Sequence, residues 1–152
     1  MPLSNKERLL IEDNLNAEYL CIRKYRQYAA MASDPKLKQT FADLASKEEQ
    51  HANTLKGILS QNGISSQNIF ESYVQPQGDL ANMSQSIGIT DAQMLNDTLT
   101  TEKHVSSSYN TAVLETIDPN IRKQLQHIQK EEQDHAQTLF NEMNARRWYP
   151  LS

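Results

Sequence analysis

The stretch LKQTFADLASKEEQHANTLKGI, residues 37–58, decides how this chain is read. Leu37, Phe41, Leu44, Leu55 and Ile58 recur at combinations of three and four residues, the spacing that keeps side chains on one face of an α-helix. Glu48 and His51 fall on the same stripe, where that period calls for apolar side chains. Residues 121–140, IRKQLQHIQKEEQDHAQTLF, repeat the design: Ile121, Leu125, Ile128 and Leu139 form the stripe, and Glu132 and His135 interrupt it. Two helices are therefore expected to turn a carboxylate and an imidazole inward, because residues three apart share a helix face.

Placing residue n beside residue n+84 extends the match without a gap. Leu15 meets Leu99, Glu18 meets Glu102, Tyr25 meets Tyr109, and Asp34-Pro35 meets Asp118-Pro119. Two copies of one helical hairpin are the simplest source of such repetition. Ser4 with Glu7 and Thr90 with Gln93 are capping-box patterns, opening a first helix that runs to about Ser33 and a third that ends near Ile117. Asp34-Pro35 and Asp118-Pro119 each supply an N-cap carboxylate and a proline at the first helical position. The second helix ends near Gln61, where Asn62-Gly63 tolerates left-handed backbone, and the fourth near Ala145. Residues 64–89 mix Ser, Gln, Asn, Gly and Pro without sustained helical period and read as a long crossover. The expectation is one all-α domain over 1–152: hairpin one at 1–63, the crossover at 64–89, hairpin two at 90–145 and a tail at 146–152. A crossover spanning the length of an antiparallel four-helix bundle is the connectivity of ferritin-like bundles.

The first helix has its stripe at Ile11, Leu15, Glu18, Ile22, Tyr25 and Ala29, and the third at Leu95, Leu99, Glu102, Ser106, Tyr109 and Val113. In an antiparallel hairpin with its turn near residue 33, Glu18 stands level with Glu48; the second hairpin pairs Glu102 with Glu132 in the same way. Four buried carboxylates without counter-charge repel one another and lose their hydration, so most would have to take up protons. Two divalent cations remove that difficulty. Carboxylates bridge hard or borderline metal ions, and imidazole nitrogen suits iron, manganese or zinc. The candidate metal ligands are thus Glu18, Glu48, His51, Glu102, Glu132 and His135, one Glu per helix plus two Glu-x-x-His pairs.

Neighbouring groups read more plainly. Glu49 and Glu131 sit off the stripe and are expected on solvated faces, and His104 and His127 lack counterpart histidines in the other repeat. Tyr25 and Tyr109 are expected one layer beyond the metals, packed with a bonded hydroxyl, with support of the ligands or a radical role as the alternative. Cys21 matches Val105 and reads as small buried filler, and Trp148 with Tyr149 as a cover for a bundle end. As the sole cysteine it permits neither an intrachain disulfide nor a CxxC motif. A net charge of −4 with both signs interspersed provides no basic patch for nucleic acid or anionic membrane, and no stretch approaches a membrane span. A soluble, cytoplasmic protein is expected.

The ligand set Glu18, Glu48-x-x-His51, Glu102, Glu132-x-x-His135 resembles the ferritin-like superfamily across essentially the whole chain. The second half is more particularly similar to the spore coat protein F (Coat F) family, through Met94-Leu95-Asn96-Asp97, Glu102-Lys103, Ser108-Tyr109-Asn110-Thr111, and Phe140-Asn141-Glu142-Met143 on to Trp148-Tyr149-Pro150. The superfamily resemblance implies that Glu48 and Glu132 bridge two metals, that Glu18 and Glu102 bind terminally, and that His51 and His135 cap one metal each. The Coat F resemblance implies a spore-forming Gram-positive source and deposition in the spore coat. Rubrerythrin-type third helices carry a further Glu where this chain has Val105, and no rubredoxin-like module is present, which argues against a rubrerythrin peroxidase. Two functions follow as expectations: an iron or manganese oxidoreductase acting on peroxide or dioxygen, or a structural coat or coat-assembly protein whose metal is stabilising or absent. Partners would be a small oxidant or other coat proteins, with a homodimer possible.

Overall fold

In a computed structural model, which describes residues 2–65, 68–76, 78 and 87–150, four long helices carry the chain. They are α1 (Asn5–Met31), α2 (Pro35–Gln61), α3 (Asp91–Glu115) and α4 (Pro119–Ala145). Each begins where the sequence places a cap. Ser4 and Glu7 bond reciprocally, as do Thr90 and Gln93, while Asp34 and Asp118 accept the first free amides of α2 and α4. The C-termini of α1 and α3 fall two residues short of expectation, at Met31 and Glu115, because Ala32 and Thr116 are already in extended backbone ahead of the Asp-Pro pairs.

Gly63 closes α2 with φ +72°, letting the Ile64 amide bond to Leu59 O at 2.9 Å. The repeat places Arg147 at the same point of α4, and it adopts the same backbone, with φ 58° and Trp148 N donating to Met143 O at 2.8 Å. A non-glycine residue is strained there.

α1 packs on α2 and α3 on α4, forming the two hairpins, and α1 against α3 with α2 against α4 join them. The joints run antiparallel: Tyr28 meets Asp97, Tyr25 meets Glu102, Asn14 meets Ser108 and Glu7 meets Ile117. The last of these joints has a reciprocal counterpart at the other turn. The Glu7 carboxylate, in the first turn of α1, accepts the Ile117 amide of the second hairpin's turn at 2.7 Å. Asp91, its counterpart in α3, accepts the Ser33 and Asp34 amides of the first hairpin's turn at 2.8 and 3.0 Å. The bundle thus has an approximate two-fold relation between its halves.

All stripe positions read from the sequence are buried except Ala29 and Ser106, which are partly covered. Within the expected crossover, Ile69–Tyr73 form a short 3-10 helix started by Asn68, whose side chain accepts the Phe70 amide. This helix lies on α1. Residues 66, 67, 77 and 79–86 of the crossover, and 151–152 of the tail, lie outside the described residues. Among the described residues no helix is long and apolar enough to cross a membrane.

Candidate metal centre

The six residues singled out by the repeat meet at mid-bundle, and all are buried, the four glutamates at 0% exposure. They form two groups whose ligand atoms lie within 4.8 Å of one another. One contains Glu18, Glu48, His51 and Glu132; the other contains Glu48, Glu102, Glu132 and His135. Glu48 and Glu132 therefore serve both groups, while Glu18 with His51 and Glu102 with His135 each belong to one.

The histidines reach across the bundle. His51 Nδ1 lies 2.9 Å from Glu132 Oε1 on the other hairpin, nearer than to its own-helix Glu48 at 3.7 Å. His135 Nδ1 lies 2.6 Å from Glu48 Oε1, against 3.4 Å to Glu132 in its own helix. The two rings stack with centroids 5.6 Å apart.

The tyrosines make the same exchange between α1 and α3. Tyr109 O–H donates to Glu18 Oε1 at 2.5 Å, and Tyr25 O–H donates to Glu102 Oε1. Each outer glutamate thus has one oxygen held by a phenol and the other, Oε2, without a hydrogen-bond partner. Glu48 Oε2 and Glu132 Oε2 are likewise buried without hydrogen bonds, while Glu48 Oε1 and His135 Nδ1 face each other at 2.6 Å. Such unmet lone pairs are costly in a dry core. Hard oxygen donors and imidazole nitrogens converging in this way fit a pair of divalent cations.

Without a cation the cluster must balance its charge with protons. Burial, then the neighbouring Glu48, hold the Glu18 carboxyl well above the ordinary range, and Glu48 is itself raised by burial with Glu132 adding to it. Burial and the contact with Glu132 push Glu102 up to about 8. For the imidazoles burial works against charge, but the surrounding carboxylates outweigh it: His51 is raised by Glu132, Glu18 and Glu48, and His135 is pushed up to about 12 by Glu102, Glu132 and Glu48. Cations entering this site would displace those protons. Cys21, buried beside the carboxylates, has its thiol pushed well up by burial and by their charge, consistent with inert filler.

One expectation needs correcting. Glu131 is not a purely solvated residue: its Oε1 lies 3.1 Å from His51 Nε2 and 3.0 Å from His127 Nε2. Burial would raise its pKa, yet the contacts with His51, His127 and Lys47 bring it below the ordinary range. It thereby orients the ring whose other nitrogen faces the carboxylates. The repeat sets Lys47 opposite Glu131, so His135 lacks the equivalent acid and the two groups differ. Glu131 escaped the sequence reading because it sits beside the stripe of α4 and approaches a histidine of the other hairpin. Of the tail aromatics, Tyr149 packs edge-on against Phe140, while Trp148 stays 41% exposed under the Arg146 guanidinium.

Residues 90–152, which comprise α3, α4 and the tail, match the Coat F domain family. No curated protein matches the chain in sequence. Among solved structures, a Bacillus halodurans C-125 protein described as a "putative spore coat protein" is similar over 100% of this chain and 94% of its own, with a TM-score of 0.85 at 12% identity. A conserved hypothetical protein from Mycobacterium tuberculosis is similar over 91% of this chain and 98% of its own, with a TM-score of 0.73 at 14% identity. At these identities the likeness concerns the fold.

Proposed function

We propose that this protein is a spore-coat component whose bundle is built around a two-cation carboxylate–histidine centre. The observation that carries the reading is that the Coat F match covers the hairpin supplying Glu102, Glu132 and His135 to the buried cluster. The coat association rests on that family likeness. The cation centre rests on the buried carboxylate oxygens Glu18 Oε2, Glu48 Oε2, Glu102 Oε2 and Glu132 Oε2, which have no hydrogen-bond partner in the protein. Glu48 and Glu132 would be shared by two cations, Glu18 with His51 would complete one position, and Glu102 with His135 the other. Iron or manganese suits this donor set, with zinc as the redox-silent alternative.

A dimetal oxidoreductase acting on peroxide or dioxygen is the second reading, and the comparisons favour it less than the coat role. It draws on the Tyr25 and Tyr109 hydroxyls, which hold the outer carboxylates in fixed orientation as a reacting centre requires. Redox-active ions would supply the electrons; the protein's part would be to hold two of them side by side and keep bulk water out.

Two measurements test the proposal. Antibody detection in fractionated spores should find the protein in the coat extract; finding it only in vegetative cytosol overturns the coat assignment. Elemental analysis of protein from iron- or manganese-supplemented cells should give two transition-metal ions per chain. Less than about half an equivalent overturns the cation centre, and peroxide consumption by loaded protein decides between the coat role alone and the oxidoreductase.

A further inference from the structure

The repeat makes the two hairpins comparable groove by groove, and on the outer side of the centre they differ. In the first hairpin Ile22 and Tyr19, one turn and one residue along α1 from Glu18, are buried, at 3% and 5% exposure. The crossover straps over α1 beside them: Arg23 Nη1 donates to Tyr73 O at 2.9 Å, Arg26 Nη1 to Val74 O at 3.2 Å, and Lys56 Nζ meets Glu71 at 2.7 Å. Arg26 also pairs with Glu49 across to α2.

In the second hairpin the counterparts of Ile22 and Tyr19 are Ser106 and Lys103. An open hollow of about 490 Å³ lies between α3 and α4 there, lined by Leu99, Lys103, Ser106, Ala136 and Phe140 among others, with Glu102 as its innermost member. Glu102 is fully buried, yet its Oε2 has no hydrogen-bond partner. Tyr149 packs on Phe140, and its hydroxyl lies 3.3 Å from Lys103 Nζ at the rim. A further hollow of about 420 Å³, lined by residues of α2 and α4, includes His135 but none of the four site glutamates.

We infer that the α3–α4 hollow is the port by which a small anion or neutral molecule of a few heavy atoms reaches the cation position held by Glu102 and His135, while the Glu18–His51 position is closed. The inference deepens the proposed cation centre and rests on it. Ser106 sets the width of the port, and the Lys103 ammonium gives its mouth a positive charge that favours anions.

The test uses the whole chain loaded with cobalt(II) and titrated with azide, followed by the cobalt ligand-field bands. Ser106→Ile installs the side chain found at the matching point of the first repeat, and should leave two cobalt ions per chain while weakening azide binding by about tenfold or more through steric exclusion. Lys103→Glu, a surface change with little consequence for folding, should weaken azide binding by roughly twofold to fivefold, less so at high salt. Two bound cobalt ions with azide titrations unchanged in both variants overturn the port and leave the centre standing. Wild-type protein that takes up no cobalt overturns the centre, and the port with it.

Discussion

Truncating Glu48 should weaken both cation positions, whereas truncating Glu18 should weaken one. Glu48 belongs to both groups of converging ligands and Glu18 only to the first. A ligand held at a hundredfold excess over its dissociation constant adds about 2.7 kcal/mol to folding stability, so two filled positions add roughly 5 kcal/mol. For a chain of 152 residues that is a rise of about 10–20 °C in the unfolding midpoint, at about 2–4 °C per kcal/mol. Suppose loss of one ligand costs at least the tenfold to hundredfold in affinity seen when an outer-sphere partner is lost. Each affected position then retains only about 0.4–1.4 kcal/mol at the same metal concentration. Glu18→Ala should keep about 3–4 kcal/mol of the metal-dependent stabilisation, and Glu48→Ala about 1–3 kcal/mol or less. Thermal unfolding with and without manganese(II), each variant referred to its own metal-free midpoint, reads the difference directly, and calorimetry gives the stoichiometry. Equal metal-dependent shifts in the two variants would refute the shared role of Glu48.

Glu131→Gln should lower affinity by about tenfold to hundredfold at the His51 position while leaving the His135 position near its wild-type value, in a two-site calorimetric titration. Arg147→Gly should stabilise the metal-free protein by about 1 kcal/mol, because glycine adopts the left-handed backbone without penalty; a lowered midpoint would contradict the strain assigned to this residue. Glu7→Ala removes the acceptor for the Ser4 and Ile117 amides, and should cost about 2–4 kcal/mol at neutral pH in denaturant unfolding. Burial alone would raise the Glu7 pKa, but those two amides outweigh it and hold it below the ordinary value. Its stabilisation is therefore complete above the unfolded-state value of about 4.3 and lost as pH falls through the lower folded value. The gap between wild type and Glu7→Gln should accordingly close in acid.

Much of the molecule is legible from local rules. The capping pairs Ser4–Glu7 and Thr90–Gln93 and the Asp-Pro steps at 34 and 118 act over a few residues, so they locate helix starts closely. The 3-10 helix at Ile69–Tyr73 is missed because five residues are too few to display a period, although Asn68 as its cap is a visible trace. Tyr25 and Tyr109 are readable as buried residues beside the centre. Their acceptors are not, since Glu102 and Glu18 lie on the opposite hairpin.

Sequence alone determined four capped helices, their duplication, and six ligand-type residues on stripes that must turn inward. These follow from a helical period and from amide groups that need partners nearby. Tertiary structure decided which hairpin each residue serves: His51 reaches Glu132, His135 reaches Glu48, Glu7 caps the far turn, and Glu131 steadies a histidine across the bundle. It also decided that the 3-10 helix of the crossover lies on α1, and that a hollow beside Glu102 opens between α3 and α4. The physical reason is one of range: the stagger and rotation of two hairpins are set by packing over their whole length, which no short window of sequence contains.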